Sequence, residues 1–152
     1  MLKGLSPYLS PDILHALAAM GHGDYLMLVD ANFPAVACAQ STIVGRPLMI
    51  AAPTAGAAAE AILSIMPLDD FIDFPAHRME VGGEPDTIPP VQQEVQAAID
   101  QAEGRKRTMA RIDRFDFYDK SKQAFCIIQS GERRFYGCFM LTKGVIAPEA
   151  TV

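Results

Sequence analysis

Among 152 residues, five side chains stand out for acid/base and hydrogen-bonding chemistry: His22, Asp30, Arg114, Tyr118 and Tyr136. His22 sits between Gly21 and Gly23, which leave room for a ligand. An unperturbed histidine, with a pKa of about 6.5, takes and returns a proton near neutral pH. Asp30 directly follows the apolar run Tyr25-Leu26-Met27-Leu28-Val29. Bland readings stand beside these: a histidine that only bonds its own turn, an aspartate that caps the next one, and a Tyr136 that is a core or edge aromatic. If the run is a strand, His22 lies on the loop entering it and Asp30 on the loop leaving it. Spacing alone leaves open whether the two can share a ligand.

Other chemistries find no pattern. Gly21-His22-Gly23 does not continue as a dinucleotide fingerprint, because Leu26 stands where the third glycine would allow close helix packing. There is no phosphate-binding lysine motif and no GxSxG elbow. His15, His22 and His77 lack the close spacing of a zinc site, so no metal is expected. Cys38, Cys126 and Cys138 form neither an even disulfide set nor a CxxC pair, so reduced thiols are expected.

The elements that must position these groups follow from local signals. Ser10-Pro11 starts a helix that runs to Met20, with Ile13, Leu14 and Leu17 as its apolar stripe, His15 off it, and Gly21 as its left-handed end. Tyr25 to Val29 reads as a short strand covered on both faces, followed by the stiff loop Asp30-Ala31-Asn32-Phe33-Pro34. Leu48 to Ala51 is a further short strand, and Pro53 to Ile65 a helix. Phe71 to Val81, broken by Pro75, reads as an interrupted or edge strand. Pro89-Pro90 opens a helix that Gly104 ends, and Arg105-Lys106-Arg107 beyond it reads as a solvated basic face.

Met109 to Ile112 predicts a strand, and Asp113 caps a short helix carrying Arg114, Phe117, Tyr118 and Ser121. Ala124 to Gln129 and Arg134 to Leu141 read as an antiparallel hairpin turning at Ser130-Gly131-Glu132, and the tail after Gly144 as loosely held. The sum is an α/β fold: a single layered domain, residues 1–152, with a mixed sheet, helices packed on it and a C-terminal hairpin.

Thirteen Lys and Arg against 18 Asp and Glu give a formal net charge of -5, which argues against a nucleic-acid or anionic-membrane partner. Pro53, Gly56 and Glu60 interrupt the alanine-rich segment, so no membrane span is expected and the protein is expected in the cytoplasm.

Four separated motifs then point to a family. Met20-Gly21-His22-Gly23-Asp24 with Asp30-Ala31-Asn32-Phe33-Pro34, Arg114-Phe115-Asp116-Phe117-Tyr118, Gly131-Glu132 through Tyr136-Gly137-Cys138, and Lys143-Gly144-Val145 resemble the L-fucose mutarotase and D-ribose pyranase family. The fucose branch is the closer. The resemblance implies a cofactor-free isomerase of free reducing sugars, assembled as a homo-oligomeric ring, commonly of ten, with sites between neighbouring subunits. It implies His22 as proton donor and acceptor, and Asp30, Arg114, Tyr136, Gly137 and Cys138 as sugar-binding residues, with Asn32 and Tyr118 as further candidates. Lys143 would be structural. The chain departs from the fucose branch at Asn32, where histidine is usual, and at Cys138, where asparagine is usual, which bears on the sugar more than on the reaction. Alternatives are a non-catalytic sugar-binding protein and a ribose pyranase-type isomerase.

Overall fold

The computed structural model describes residues 1–148. Its frame is one six-stranded sheet, built from β1 (Tyr25–Val29), β2 (Leu48–Met49), β3 (Ala76–Met79), β4 (Ala110–Ile112), β5 (Cys126–Gln129) and β6 (Phe139–Thr142), in the order β2-β5-β1-β6-β3-β4. β1 runs parallel to β5 and antiparallel to β6, and β3 runs antiparallel to β6 and parallel to β4. Only β6 opposes the other strands, so the sheet is mixed.

Helices cover both faces. Side chains alternate along a strand, so Leu26 and Leu28 of β1 face one core while Met27 and Val29 face the other. The first core packs α1 (Pro11–Ala19), α3 (Ala55–Leu63) and α4 (Pro90–Glu103) against the sheet. The second packs α2 (Ala35–Ala39) and α5 (Arg114–Ser121) against it. This double coverage is why β1 is an unbroken apolar run. The helix starts are locally encoded: Ser10 Oγ accepts from the Ile13 amide, Thr54 from Ala57, and Asp113 from Phe115.

Four expectations need correction. The last two strands are not a hairpin: they run in opposite directions, but β1 lies between them and pairs with both. The segment from Arg134 to Cys138 is loop rather than strand, because Tyr136 adopts φ 62°, which cannot continue a ladder. β3 is an interior strand; Pro75 precedes its first residue, so its missing amide costs no ladder bond. Gly21 does not end α1 in the left-handed region. Gly23 takes that conformation instead, at φ 85°, while the Lys143 ammonium donates to the Leu17 carbonyl at 2.7 Å and to that of Met20. Lys143 thus closes a helix C-terminus that has no basic residue of its own.

Arg105 and Arg107 are not simply solvated: both donate to Asp70, and Arg107 also to the Asp69 carbonyl at 2.8 Å. Of the C-terminal tail, residues 145–148 form no regular element and are exposed, and the remainder lies outside the described residues. No described helix is long and apolar enough to cross a membrane.

Candidate sugar site

A cavity of about 240 Å³ opens at the C-terminal edge of β1 and β3, on the side covered by α5. Loops beyond the carboxyl ends of parallel strands are where α/β sheets commonly bind ligands. The lining includes Asp30, Asn32, Arg114, Tyr118, Tyr136 and Cys138, so six of the sequence candidates converge here.

Asp30 is its fixed point. It is 4% exposed, and Gln129 Nε2 pins its carbonyl at 3.1 Å. Oδ1 accepts from the Asn32 amide at 3.0 Å, and Oδ2 from the Gly137 amide at 3.2 Å and the Cys138 thiol at 3.5 Å. Burial first, and then the Asp30 carboxylate beside it, push the Cys138 thiol well above its usual range. The sulfur therefore keeps its proton and donates. A carboxylate carries about four lone-pair sites, so Asp30 retains acceptor capacity towards the cavity.

Gly137 is there because nothing larger fits. A Cβ at this position would stand 2.9 Å from Glu132 Cγ and 3.3 Å from Asp30 Cβ. Next to it, Tyr136 takes its left-handed backbone under three constraints. Its hydroxyl accepts from the Gly82 amide at 3.1 Å, its carbonyl accepts from Gln92 Nε2 at 3.0 Å, and its ring packs beside the second core. A non-glycine residue in that region costs on the order of 1 kcal/mol or more and persists where its surroundings over-determine it.

Arg114, at the first position of α5, is exposed, and its guanidinium lies 5.2 Å from the Phe115 ring centroid and 5.6 Å from that of Tyr118. Tyr118 in turn packs on Phe33 at 5.5 Å. The cavity therefore has a buried anion on one wall, a cation on another and aromatic faces between them.

His22 is not part of this cavity. It precedes β1 while Asp30 follows it, and five strand residues at about 3.3 Å each put the two loops more than roughly 16 Å apart. Its Nε2 stands 2.9 Å from Oδ1 of the buried Asp69, and Phe71 packs 5.3 Å from the imidazole. Among the described residues, no three His, Cys, Asp or Glu side chains cluster closely enough to hold a metal ion.

The model of the RbsD / FucU transport protein family matches residues 3–146. The chain belongs to that family. Human fucose mutarotase is 40% identical over 96% of this chain and 95% of its own. The crystal structure of the Streptococcus pneumoniae fucose mutarotase in complex with L-fucose superposes with a TM-score of 0.84 at 33% identity, covering 96% of this chain and 100% of that one. A solved protein provisionally described as sugar binding reaches a TM-score of 0.94 at 55% identity, covering 96% and 97%.

Within this RbsD/FucU chain the cavity also uses residues that sequence reasoning missed: Phe33, Met79 and Phe135. Phe135 is 75% exposed and Met79 5%. Neither carries a signal, since an apolar residue in a loop or strand is ordinarily core. Glu132, which the sequence marks only as the neighbour of Gly131, is 2% exposed and ties three segments together. Its Oε2 accepts from the Ala55 amide at the start of α3, and both its oxygens accept from Arg134, which also bridges to Glu94 on α4.

Proposed function

We propose that this protein is a cofactor-free monosaccharide mutarotase, an isomerase that interconverts the anomers of a free aldose such as L-fucose. The observation that carries this reading is the cavity around buried Asp30 in a chain whose relatives are fucose mutarotases. A cavity of about 240 Å³ falls below the roughly 300–1,000 Å³ of sites for drug-sized ligands. That size suits a single sugar ring.

Anomer exchange needs a proton taken from the C1 hydroxyl and one delivered to the ring oxygen. The ring opens to the aldehyde, the C1–C2 bond rotates, and the ring closes again. A positioned histidine contributes typically about 10²–10⁴-fold to such transfers, and His22 is assigned that role. Asp30 and Arg114 bind hydroxyls through charge-assisted hydrogen bonds, which select configuration. Tyr118 and Tyr136 offer ring faces to the apolar side of the sugar. Gly137 and Cys138 form the floor beside Asp30, and Asn32 reaches the rim.

Since His22 stands at the other edge of the sheet, the site is assigned to an interface: one subunit supplies the cavity, a neighbour supplies His22. A head-to-tail contact of this kind closes into a ring where its rotation allows, and the family resemblance supports a ring of ten. Exposed apolar side chains flank both halves, Phe71 against His22, and Phe115 and Phe135 beside the cavity. The cytoplasm is the assigned compartment, a reading supported by three free, buried cysteines.

Saturation-transfer NMR on free aldoses tests the assignment. Wild type should accelerate α/β exchange of L-fucose, and His22→Ala should not. Binding without acceleration beyond the mutant would leave a sugar-binding protein. Faster exchange of D-ribose between pyranose and furanose forms than between fucose anomers would point to pyranase chemistry.

A further inference from the structure

Asp69 has no place in the sequence motifs, yet it holds the residue assigned to proton transfer. It is 3% exposed, while the His22 side chain is 44% exposed. A hydrogen-bonded carboxylate is thus fixed beneath a ring that faces outward. Asp69 Oδ1 accepts from the Phe71 amide at 3.0 Å and meets His22 Nε2 at 2.9 Å. The Phe71 amide, and after it the His22 hydrogen bond and charge, hold the Asp69 carboxyl below its usual range against the opposing effect of burial.

The backbone around Asp69 is anchored too. Its amide donates to the Thr142 carbonyl at 3.1 Å, and its carbonyl accepts from Arg107. An ionised carboxylate has no hydrogen to offer. The hydrogen in the 2.9 Å contact must therefore sit on His22 Nε2, which leaves Nδ1 with the free lone pair. Which ring nitrogen is protonated is set by the bond the other one makes.

We propose that Asp69 is a positioning residue that fixes the Nε2–H tautomer of His22 and presents Nδ1 as the atom that exchanges protons with the sugar. This rests on the mutarotase reading. Nδ1 takes the proton of the C1 hydroxyl, and the electron pair of that O–H bond becomes the second C1–O bond of the aldehyde. The bond from C1 to the ring oxygen breaks with its pair moving onto that oxygen, which receives the same proton back from Nδ1–H. Both oxygens are bonded to C1, so one nitrogen can reach either. Reclosure on the other face reverses the transfers, and no net proton is lost.

Asp69→Asn tests this in the full-length protein. An asparagine still accepts from the Phe71 amide, but it offers the ring either a carbonyl or an NH₂, so it no longer dictates the tautomer. ¹⁵N NMR of the imidazoles, tractable with three histidines, should show Nε2–H for His22 in wild type and a tautomer mixture in Asp69→Asn. L-fucose exchange should lose roughly 10- to 100-fold in kcat, part of the ~10²–10⁴-fold that a positioned histidine supplies, with KM unchanged. In a His22→Ala background the second substitution should cost nothing more, because Asp69 acts through His22. An unchanged tautomer, or the same loss with and without His22, would overturn the proposal. Wild type without any exchange activity would overturn the mutarotase reading instead, while the tautomer measurement would still decide whether Asp69 governs His22.

Discussion

Gly137 shows how tightly one position couples packing to the proposed chemistry. Its amide feeds Asp30 Oδ2, and the absent side chain is what lets Glu132 and Asp30 approach it from two sides. In Gly137→Ala the new methyl would meet Glu132 Cγ at 2.9 Å. Overpacking of this kind costs about 1–3 kcal/mol, for a Tm drop of roughly 3–10 °C in a domain of this size. Relief of the clash displaces Asp30, so fucose affinity should fall together with stability, as thermal denaturation and NMR titration would report. Unchanged affinity would mean that Asp30 does not hold the sugar. The candidates His22, Asp30, Arg114 and Tyr136 were readable from type and context, and the family motifs gave them roles. Asp69 was not readable, because it lies 47 positions from His22 and only the fold brings the two together. Nor were Met79 and Phe135, whose side chains carry no polar signature.

Elements were legible where their signals are local. Helix caps at Ser10 and Asp113, the left-handed Gly104 after α4, and the buried run of β1 all follow from the residues themselves, whereas α3 begins at Ala55 behind its cap Thr54 rather than at Pro53. Strand partners were not legible, because an apolar run marks a strand without naming its neighbour. β5 and β6 face apart across β1, and the segment between them must cross the end of that strand. Ser130, Glu132 and Tyr136 fasten this crossing. Its central bond is open to test by pH. Arg134 first, and then the amides of Arg134 and Ala55, hold the Glu132 carboxyl down at about 2 against the cost of burial. Since the folded state depresses this pKa, the stabilisation is fully present above the unfolded value, roughly 4.3–4.5, and disappears as pH falls through about 2. Its size is on the order of 2 kcal/mol once solvent around the 41% exposed Arg134 is allowed for. Urea unfolding of wild type and Glu132→Gln should differ by that amount at pH 7. The gap should narrow steadily from pH 5 downward. A gap independent of pH would show that the carboxylate charge contributes nothing.

The whole subunit holds the two halves of the proposed chemistry at opposite edges of one sheet, and this separation makes the assembly testable without a structure of it. His22→Ala removes the proton carrier and leaves the cavity; Asp30→Ala removes a cavity anchor and leaves the proton carrier. If each site draws His22 from one subunit and Asp30 from the next, neither variant alone can form an intact site. Subunits of both kinds mixed at random can, since a His22→Ala subunit can supply the cavity and an Asp30→Ala subunit the histidine. Equal amounts in a head-to-tail ring should make both contributors intact at about a quarter of sites. Co-expression of the two variants, with fucose exchange measured by saturation transfer, should therefore restore about a quarter of wild-type activity. A site completed within one subunit would leave the mixture as inactive as its components, since every chain would carry one defect. Sedimentation gives the independent check: a monomer at micromolar concentration would sink the shared site, and would leave His22 without any route to a sugar bound at Asp30.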